Sequence, residues 1–419
     1  MKQTKQTLWT AGFSRITIAT ILSAIGGEAM NLPISLLVFD ETGSTLLSSL
    51  ILVCGILPDV LLPLLAAPFI DRGRKKTWIV GLDGATALFY LTMGWLVSRY
   101  AFHYPLYLGF VLIIGSISAC YRLAYQAWYP SLIPAGLEQK GYAVSNTIYP
   151  FITIAMSPLA AFLYKEISMG QIFYLVTLLT ALSVLVEYGI PEKPQTGHSG
   201  QSRYTIRAYF QDVMEGLAYL KREKGIRNIY TYLCITQGCN DGTAILTQAY
   251  YQTMPGLTVT MLGFLRSAEM AGRFLGGLWQ YQKEIPERKR YPFTKFVYTV
   301  YNTMDLLLLF LPYPLMLANR FLCGSLGISS ATIRETAVQC YLPEQMRARV
   351  NAFFGMLTAI GCVLFQLAAG VLGQWISYRM AVVVLSLLGC LAMVVFIFLP
   401  GRTNAAVYEA SRKPVTADK

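Results

Sequence analysis

The chain has 419 residues, of which 55% are apolar and only 13% are charged, and its mean hydropathy is +0.48. A soluble domain carries about 25% charged residues, so this composition excludes an ordinary soluble protein and indicates one that crosses a membrane several times. The formal charge of +12 does not indicate a nucleic-acid partner, because the basic residues lie in short loops and form no stripe interleaved with stacking aromatics.

Twelve apolar runs, separated by short polar segments, follow one another along the chain. A transmembrane helix needs about 20 apolar residues, and each run approaches or exceeds that length. The predicted spans are residues 13–39, 45–69, 77–98, 105–129, 142–164, 170–190, 228–250, 258–282, 294–311, 314–337, 348–374 and 380–399. The sequence therefore predicts an all-α integral membrane protein whose twelve transmembrane helices form two pseudo-symmetric six-helix bundles.

A polar segment divides the chain almost in half. We predict an N-terminal bundle at 1–190, a cytoplasmic linker at 191–227, a C-terminal bundle at 228–400 and a cytoplasmic tail at 401–419. Apolar residues between Ile206 and Leu220 recur at helical spacing, which predicts an amphipathic helix on the inner membrane surface; a soluble helix packed on the loops is the alternative. Residues 138–168 resemble residues 344–377, and a parallel repeat of this kind places the transport site between the halves, near the bilayer midplane.

The distribution of basic residues predicts the orientation. Alternate loops carry Arg72, Arg74, Lys75, Lys76, Lys140, Lys283, Arg288, Lys289, Arg290, Arg347 and Arg349, whereas the opposite side carries only Arg99, Lys165 and Arg379. Because cytoplasmic loops are enriched in Lys and Arg, both termini are predicted to be cytoplasmic. We expect a multi-pass protein of a bacterial plasma membrane.

The loop after the second span carries the most specific motif of the chain. It reads Ala67-Pro68-Phe69-Ile70-Asp71-Arg72-Gly73-Arg74-Lys75-Lys76. It resembles the major facilitator signature G-x-x-x-D-R-x-G-R-[RK], with Ala67 at the first glycine and Arg74 at the second. The segments 40–44 and 129–146 are similar to the drug-, macrolide- and siderophore-exporting branch of that superfamily, and the likeness covers essentially the whole chain.

This resemblance implies a secondary active transporter that works by alternating access as a monomer in the lipid bilayer. It implies a small-molecule substrate and no cofactor, since transport would be driven by a proton or other ion gradient. The signature residues are implied to hold one of the alternating states; the gating set is Asp71, Arg72, Arg74 and Lys75, with Asp83 expected to pair with the basic loop beneath it.

Two departures from the exporter pattern leave the direction of transport open. Val111 stands where many proton-coupled exporters carry an arginine, and the fifth-span motif G-P-x-x-G-G appears only as Ser157-Pro158-Leu159-Ala160-Ala161-Phe162. Proton-coupled export of a drug-like amphiphile is the favoured function. Uptake of a small solute by symport, and lipid handling or sensing by the same fold, are the alternatives.

Two carboxylates fall at matching positions of the two halves. Glu28 precedes Gly43 by the same number of residues as Asp241 precedes Gly256, and each glycine closes the following loop. An ionisable group near the bilayer centre costs about 2.5–3.5 kcal/mol, which makes each a candidate for proton coupling or substrate binding; neutral packing groups are the alternative. The neighbouring amides that complete this predicted site are Asn31 and Asn240.

Other charged and aromatic side chains lie inside predicted spans. Helix 4 offers Arg122 between Tyr121 and Tyr125, and helix 10 offers Arg334 and Glu335. Arg122 could bind an anionic substrate, steady a carboxylate or act as a gate, and the tyrosines could wall a cavity. Helix 8 carries a set spaced by three and four residues, for which internal ion pairing is expected; its members are Arg266, Glu269 and Arg273.

Enzymatic and metal functions are disfavoured by what the sequence lacks. No G-x-x-x-x-G-K-[ST] motif is present, and the two histidines, His103 and His198, fall in predicted loops without an H-E-x-x-H motif. None of the eight cysteines forms a C-x-x-C pair, so they are read as small core residues. The repeat and the signature loop also favour a carrier over a channel.

Overall fold

The computed structural model describes residues 7–134, 137–191, 214–215, 217–219, 221–282 and 285–409, and these residues contain helices and no β-strand. The first half contains α1 (Ala11–Thr42), α2 (Thr45–Arg72), α3 (Lys75–Arg99), α4 (Tyr104–Leu132), α5 (Glu138–Glu166) and α6 (Met169–Tyr188). The second half contains α7 (Lys224–Thr253), α8 (Val259–Gln282), α9 (Glu287–Leu307), α10 (Tyr313–Tyr341), α11 (Glu344–Trp375), α12 (Tyr378–Met393) and α13 (Gly401–Tyr408).

Each predicted span coincides with one of the helices α1–α12, which confirms the all-helical class and the order of the elements. Seven helices among the described residues are apolar and long enough to cross a membrane by composition and length, namely α1, α3, α4, α5, α6, α11 and α12 with its continuation to Phe398. Helices α7–α10 contain more polar residues, and most of the ionisable groups of the second half lie there. The predicted amphipathic helix of the linker lies mostly outside the described residues.

The chain divides into two compact units. One comprises residues 1–206 together with 255–267, and the other comprises 207–254 and 268–419. The loops that follow α1 and α7 both turn at a glycine of positive φ, 61° at Gly43 and 84° at Gly256. Only glycine adopts this conformation without steric cost, so the equivalence of the two loops inferred from the sequence extends to their backbone geometry.

In the first unit, α6 packs along both α1 and α3. Its core is aromatic: Phe110 of α4 meets Phe173 of α6 edge to face at 5.3 Å, and Tyr90 of α3 lies 5.6 Å from Phe110. Edge-to-face ring pairs of this kind add to the stabilisation from buried area. The result is that α1, α3, α4 and α6 enclose a common interior in which polar side chains have no access to solvent.

In the second unit, α7 and α11 make the most extensive contact because small residues let their backbones approach. A Cβ added at Gly238 would lie 2.8 Å from the carbonyl oxygen of Gly361, and one added at Gly361 would lie 2.9 Å from the carbonyl oxygen of Cys234. Small residues at helix crossings are the usual means of close packing inside membranes. This crossing holds Asp241 of α7 against the side chains of α11.

The C-terminal segment that the sequence analysis treated as a tail begins as part of the second unit. Residues Gly401–Tyr408 form α13, in which Asn404 and Tyr408 are fully buried. The Asn404 amide donates to the carbonyl oxygen of Phe396 over 2.7 Å, and the Tyr408 hydroxyl meets that of Tyr298 at 3.2 Å. The helix is therefore an integral element of that unit.

Candidate functional site

Asp241 lies at the centre of a polar cluster in the second unit. Its Oδ1 accepts a hydrogen bond of 3.3 Å from the Gln237 amide one turn earlier on α7. Cys362 and Gln366 of α11 are further hydrogen-bonding partners, and Arg273 of α8 is near enough to act on the carboxylate electrostatically. Gln366 is buried, and its Oε1 has no hydrogen-bond partner among the described residues. The carboxyl group is thus held mainly by neutral side chains.

A cavity of about 290 Å³ adjoins this cluster within the second unit. Three of the residues singled out in the sequence line it, namely Asn240, Arg273 and Arg334. Its aromatic walls are Tyr232, Tyr298, Tyr301 and Phe354. Small-molecule sites combine mostly apolar walls with a few convergent polar groups, and their volumes run from about 300 to 1,000 Å³. This cavity matches that description at its lower limit of size.

The positive charges of the cavity are only partly neutralised. Arg273 Nη2 pairs with Glu269 Oε1 at 2.9 Å, and Arg334 Nη2 reaches Glu335 Oε1 at 3.6 Å. Arg273 Nε is buried without a hydrogen-bond partner among the described residues. Glu335, predicted as a site residue, is largely exposed and does not line the cavity. The cavity therefore offers two guanidinium groups to a ligand.

The wall near α9 contains a buried ion pair that the sequence analysis did not single out. Arg320 of α10 donates to Asp305 Oδ1 of α9, and both side chains are buried. Asp305 itself lines the cavity. Because its charge is matched by Arg320, it does not neutralise the two guanidinium groups. An acid and a base inside neighbouring predicted spans were the signal that could have identified this pair.

Glu28 occupies a different environment in the first unit. It is half-buried on α1, and the Thr153 hydroxyl of α5 lies within hydrogen-bonding reach of its carboxyl group. Arg266, which belongs to the segment 255–267 grouped with this unit, acts on Glu28 electrostatically, whereas Glu269 and Arg273 pair with each other. Asn31 is exposed. Of the ion pairing expected on this face of helix 8, the described contacts include the Glu269–Arg273 pair.

The residues of helix 4 are engaged with side chains of the first unit. Arg122 forms an ion pair with Asp59 of α2. Steadying a carboxylate was one of the three roles considered for it from the sequence. Tyr121 and Tyr125 stack on each other at 6.1 Å. The Tyr121 hydroxyl donates to Glu187 Oε1 over 2.9 Å. The two tyrosines thus belong to the polar interior of this unit, and they do not line the cavity of the second unit.

The contacts of Asp83 among the described residues are with α1 and α6, contrary to the expected pairing with the basic loop. Asp83 lies two helical turns inside α3, where it is buried and faces α1 and α6. Ser23 donates to its Oδ2 over 3.1 Å, and Ser183 lies 3.4 Å from the same oxygen. The loop itself is short, since α2 ends at Arg72 and α3 begins at Lys75.

The remaining signature residues define the ends of these two helices. Arg74 is exposed and precedes the first residue of α3, while Lys75 is half-buried. Asp71 and Arg72 lie in the last turn of α2, and their side chains are outside the described part of the chain. The gating role of the loop stays a prediction.

Sequence reasoning missed Glu187, which is fully buried near the end of α6. A charge at that position of a span ordinarily extends to the membrane surface, so it carried no signal by itself. Its spacing from Ser183, one helical turn earlier, was the only sequence feature that could have placed it beside the polar groups of α1 and α3.

Comparison with known proteins agrees with this architecture. Macrolide efflux protein A of Streptococcus pyogenes is 23% identical over 286 residues, which are 66% of this chain and 69% of that protein. A bacterial homologue of the human lysosomal transporter Spinster has a TM-score of 0.69 at 13% identity and covers 93% of this chain and 96% of its own. A D-xylose–proton symporter has a TM-score of 0.69 at 11% identity, with 94% and 98% covered.

The sequence model of the Major Facilitator Superfamily matches residues 16–304, which is more than half of the chain. Together with the helical architecture, this match identifies the protein as a transporter rather than an enzyme. The chain is a multi-pass membrane protein that belongs to the Major Facilitator Superfamily.

Proposed function

We propose that the protein exports a small amphiphilic molecule across the plasma membrane in exchange for protons. The observation that carries the proposal is the cavity of the second unit, where aromatic walls and two incompletely neutralised arginines adjoin the buried carboxyl group of Asp241. Aromatic walls suit an apolar body, and Arg273 and Arg334 suit an anionic or zwitterionic group on it. With a volume of about 290 Å³, the cavity accepts a small ligand or one end of a larger one.

The carboxyl groups supply the coupling. An ionised Asp241 attracts a cationic group of the substrate, while Arg273 and Arg334 bind its anionic group. A proton on Asp241 removes that attraction, so proton and substrate compete for the site, as exchange requires. Such coupling is reciprocal. Glu28, at the matching position of the first half, is the second proposed proton carrier.

The proposed direction of transport is supported by the relative rather than by the cavity. The resemblance to macrolide efflux protein A, at 23% identity, supports export. The D-xylose–proton symporter shares the fold at 11% identity, and that likeness carries no information on substrate or direction. Uptake by symport is therefore the second candidate, and the transport assay distinguishes it from export.

The test is proton movement in energised inside-out vesicles that contain the protein. An acid-quenched dye reports proton efflux while anionic, zwitterionic, cationic and neutral amphiphiles are added in turn. Export predicts dye recovery with zwitterionic compounds. It also predicts loss of recovery in Asp241→Asn and Glu28→Gln, while the exposed-site control Glu166→Gln behaves as wild type.

Two outcomes would contradict the proposal. Recovery that survives in both Asp241→Asn and Glu28→Gln, at normal membrane levels, would exclude these groups as the proton carriers. Accumulation of the compound only in right-side-out vesicles, driven by an inward proton gradient, would show uptake instead of export.

A further inference from the structure

A second group of buried acids lies in the first unit, and it does not include Glu28. Glu187 of α6 has none of its surface exposed, and Asp83 of α3 is 7% exposed. The two carboxyl groups act on each other electrostatically. Neither forms an ion pair within the described residues. Two negative charges at this position would have to be desolvated and to repel each other without a compensating cation.

The hydrogen bonds leave one carboxyl oxygen without a partner. Glu187 Oε1 accepts from the Tyr121 hydroxyl over 2.9 Å, but Glu187 Oε2 has no hydrogen-bond partner among the residues that the structure describes. A buried anionic oxygen left unpaired is costly, since charged groups out of water require partners. A proton on Oε2 removes that charge.

The hydrogen-bonding partners of Asp83 can serve both its ionised and its neutral form. Ser23 donates to Asp83 Oδ2 over 3.1 Å, Ser23 and Ser183 are 3.0 Å apart, and Ser183 lies 3.2 Å from the carbonyl oxygen of Ala19. With Asp83 ionised, both hydroxyls can point towards the carboxylate. With Asp83 neutral, the direction of this row of hydrogen bonds can reverse, because Ser183 then donates to the Ala19 carbonyl. A proton can therefore reside on either acid.

Other titratable groups surround the pair. Tyr90 of α3 and Tyr149 of α5 face Asp83, Tyr125 of α4 faces Glu187, and Tyr121 of α4 faces both. All of them are neutral donors or acceptors at physiological pH.

Two described cations, Lys76 and Arg15, bind the end of α6. Lys76 Nζ donates to the Ile190 carbonyl over 2.7 Å and lies over the Tyr188 ring, and Arg15 donates to the Gly189 carbonyl. Carbonyl groups at a helix C-terminus attract cations through their partial negative charge. Lys76 and Arg15 thus close the end of the unit without neutralising Asp83 or Glu187.

We infer that Asp83 and Glu187, with Tyr121, Ser23 and Ser183, form a proton-binding site inside the N-terminal bundle that holds at least one proton in the folded protein. The site joins α1, α3, α4 and α6, so loss of its proton places two like charges between the helices that pack most closely in this unit. It is separate from the proposed coupling groups Glu28 and Asp241, and it does not depend on the direction of transport.

The first test is infrared spectroscopy of the purified full-length protein in lipid, without substrate or gradient. A protonated carboxyl group has its own C=O stretch, distinct from that of a carboxylate. We expect a protonated-carboxyl band near neutral pH in the wild type. The band should be lost in Glu187→Gln, whose amide mimics a neutral acid in size and shape, and retained in Glu166→Gln, which alters an exposed glutamate.

The second test is thermal unfolding as a function of pH. A glutamate in water titrates near pH 4.3, so above that pH the unfolded chain releases a proton that the folded protein keeps. Stability therefore falls as pH rises, by up to about tenfold in the ratio of folded to unfolded protein per pH unit for one proton. We expect Glu187→Gln to reduce this slope and Glu166→Gln to leave it unchanged.

Three outcomes overturn the inference. One is a folded Glu187→Gln protein with the same protonated-carboxyl band and the same pH slope as the wild type. Another is a band that is absent in sodium and appears only when sodium is replaced by choline at fixed pH, because sodium would then be the ion that the acids bind. If Glu187→Gln does not fold, Asp83→Asn decides. As pH rises, the band of this variant should disappear at a lower pH than that of the wild type, because Glu187 no longer has a like charge beside it. Loss of the band at the same pH in both proteins contradicts the pair.

Discussion

The buried ion pair between Arg320 and Asp305 allows a quantitative prediction, because only the aspartate can lose its charge when its partner is removed. Both are almost inaccessible, at 5% and 8% exposure. Breaking a buried pair by removing one partner costs about 3–5 kcal/mol, since the remaining charge is left uncompensated. An aspartate can limit that cost by binding a proton, whereas an arginine guanidinium cannot be deprotonated in a protein.

We therefore expect Asp305→Asn to be more destabilising than Arg320→Met. Asp305→Asn leaves a buried guanidinium whose Nε already lacks a hydrogen-bond partner among the described residues. Its cost should lie near the upper end of the 3–5 kcal/mol range, which for a unit of about 200 residues corresponds to a fall in melting temperature on the order of 10 °C. The double variant should recover most of the loss, because neither charge remains.

Thiol labelling measures this change in the detergent-solubilised protein. Three free cysteines of the second unit are buried, namely Cys239, Cys323 and Cys362, so a thiol-reactive dye detects unfolding of that unit. The matched control is Glu335→Gln, an acid-to-amide change in the more exposed pair with Arg334 of the same unit, where a loss of about 1 kcal/mol or less is expected.

The reasoning fails if the order of the variants is reversed. An Arg320→Met protein less stable than Asp305→Asn would mean that the uncompensated acid is the costlier group. Equal melting temperatures for Asp305→Asn and Glu335→Gln would mean that burial does not decide the cost. A double variant no more stable than Asp305→Asn would mean that packing rather than charge accounts for the loss.

Two further predictions concern packing in the second unit. Gly324→Ala should prevent folding or lower the melting temperature strongly, because the new Cβ would overlap a backbone carbonyl of α8, whereas Gly277→Ala, which meets nothing within 4 Å, should be tolerated. Equal yields of the two folded variants would contradict the close crossing of α8 and α10. A chain ending at residue 400 loses the buried Tyr408 and should be less stable than the full chain by about 3–5 kcal/mol in thermal unfolding.

The helices could be predicted from the sequence because a single physical requirement dictates them. A segment in lipid must satisfy its backbone hydrogen bonds internally, so each long apolar run has to be a helix. The same requirement made the turn glycines informative, and Gly43 and Gly256 both adopt positive φ. The packed helix α13 was not predicted, since a short polar segment after the last span has no such requirement.

The hydrogen-bonding partners of Asp83 could not be predicted, because they depend on which helices are neighbours. Asp83 lies two turns above a basic loop, and the sequence alone favoured that nearby partner. The structure turns its side chain towards α1 and α6, where Ser23 and Ser183 are the partners. The order of the helices along the chain does not give the rotation of each helix about its axis, and that rotation decides which side chains meet.

The partners of an acid inside the helices distinguish a structural role from a role in proton binding. Arginine cannot lose its charge, and the arginines of the three pairs Arg122–Asp59, Arg273–Glu269 and Arg320–Asp305 each have an acid at hand. An acid so paired compensates the charge of its arginine, so amide substitution there should mainly cost stability.

Asp241, Asp83 and Glu187 are instead hydrogen-bonded by amide, thiol and hydroxyl groups. Such groups can serve an ionised and a neutral carboxyl group alike, so they leave the acid free to gain or lose a proton. Amide substitution at these positions should therefore spare folding and alter proton binding. In a transporter driven by protons, the carboxyl groups worth testing first are those that the structure surrounds with neutral partners, and only one of these three was proposed as a proton carrier from the sequence.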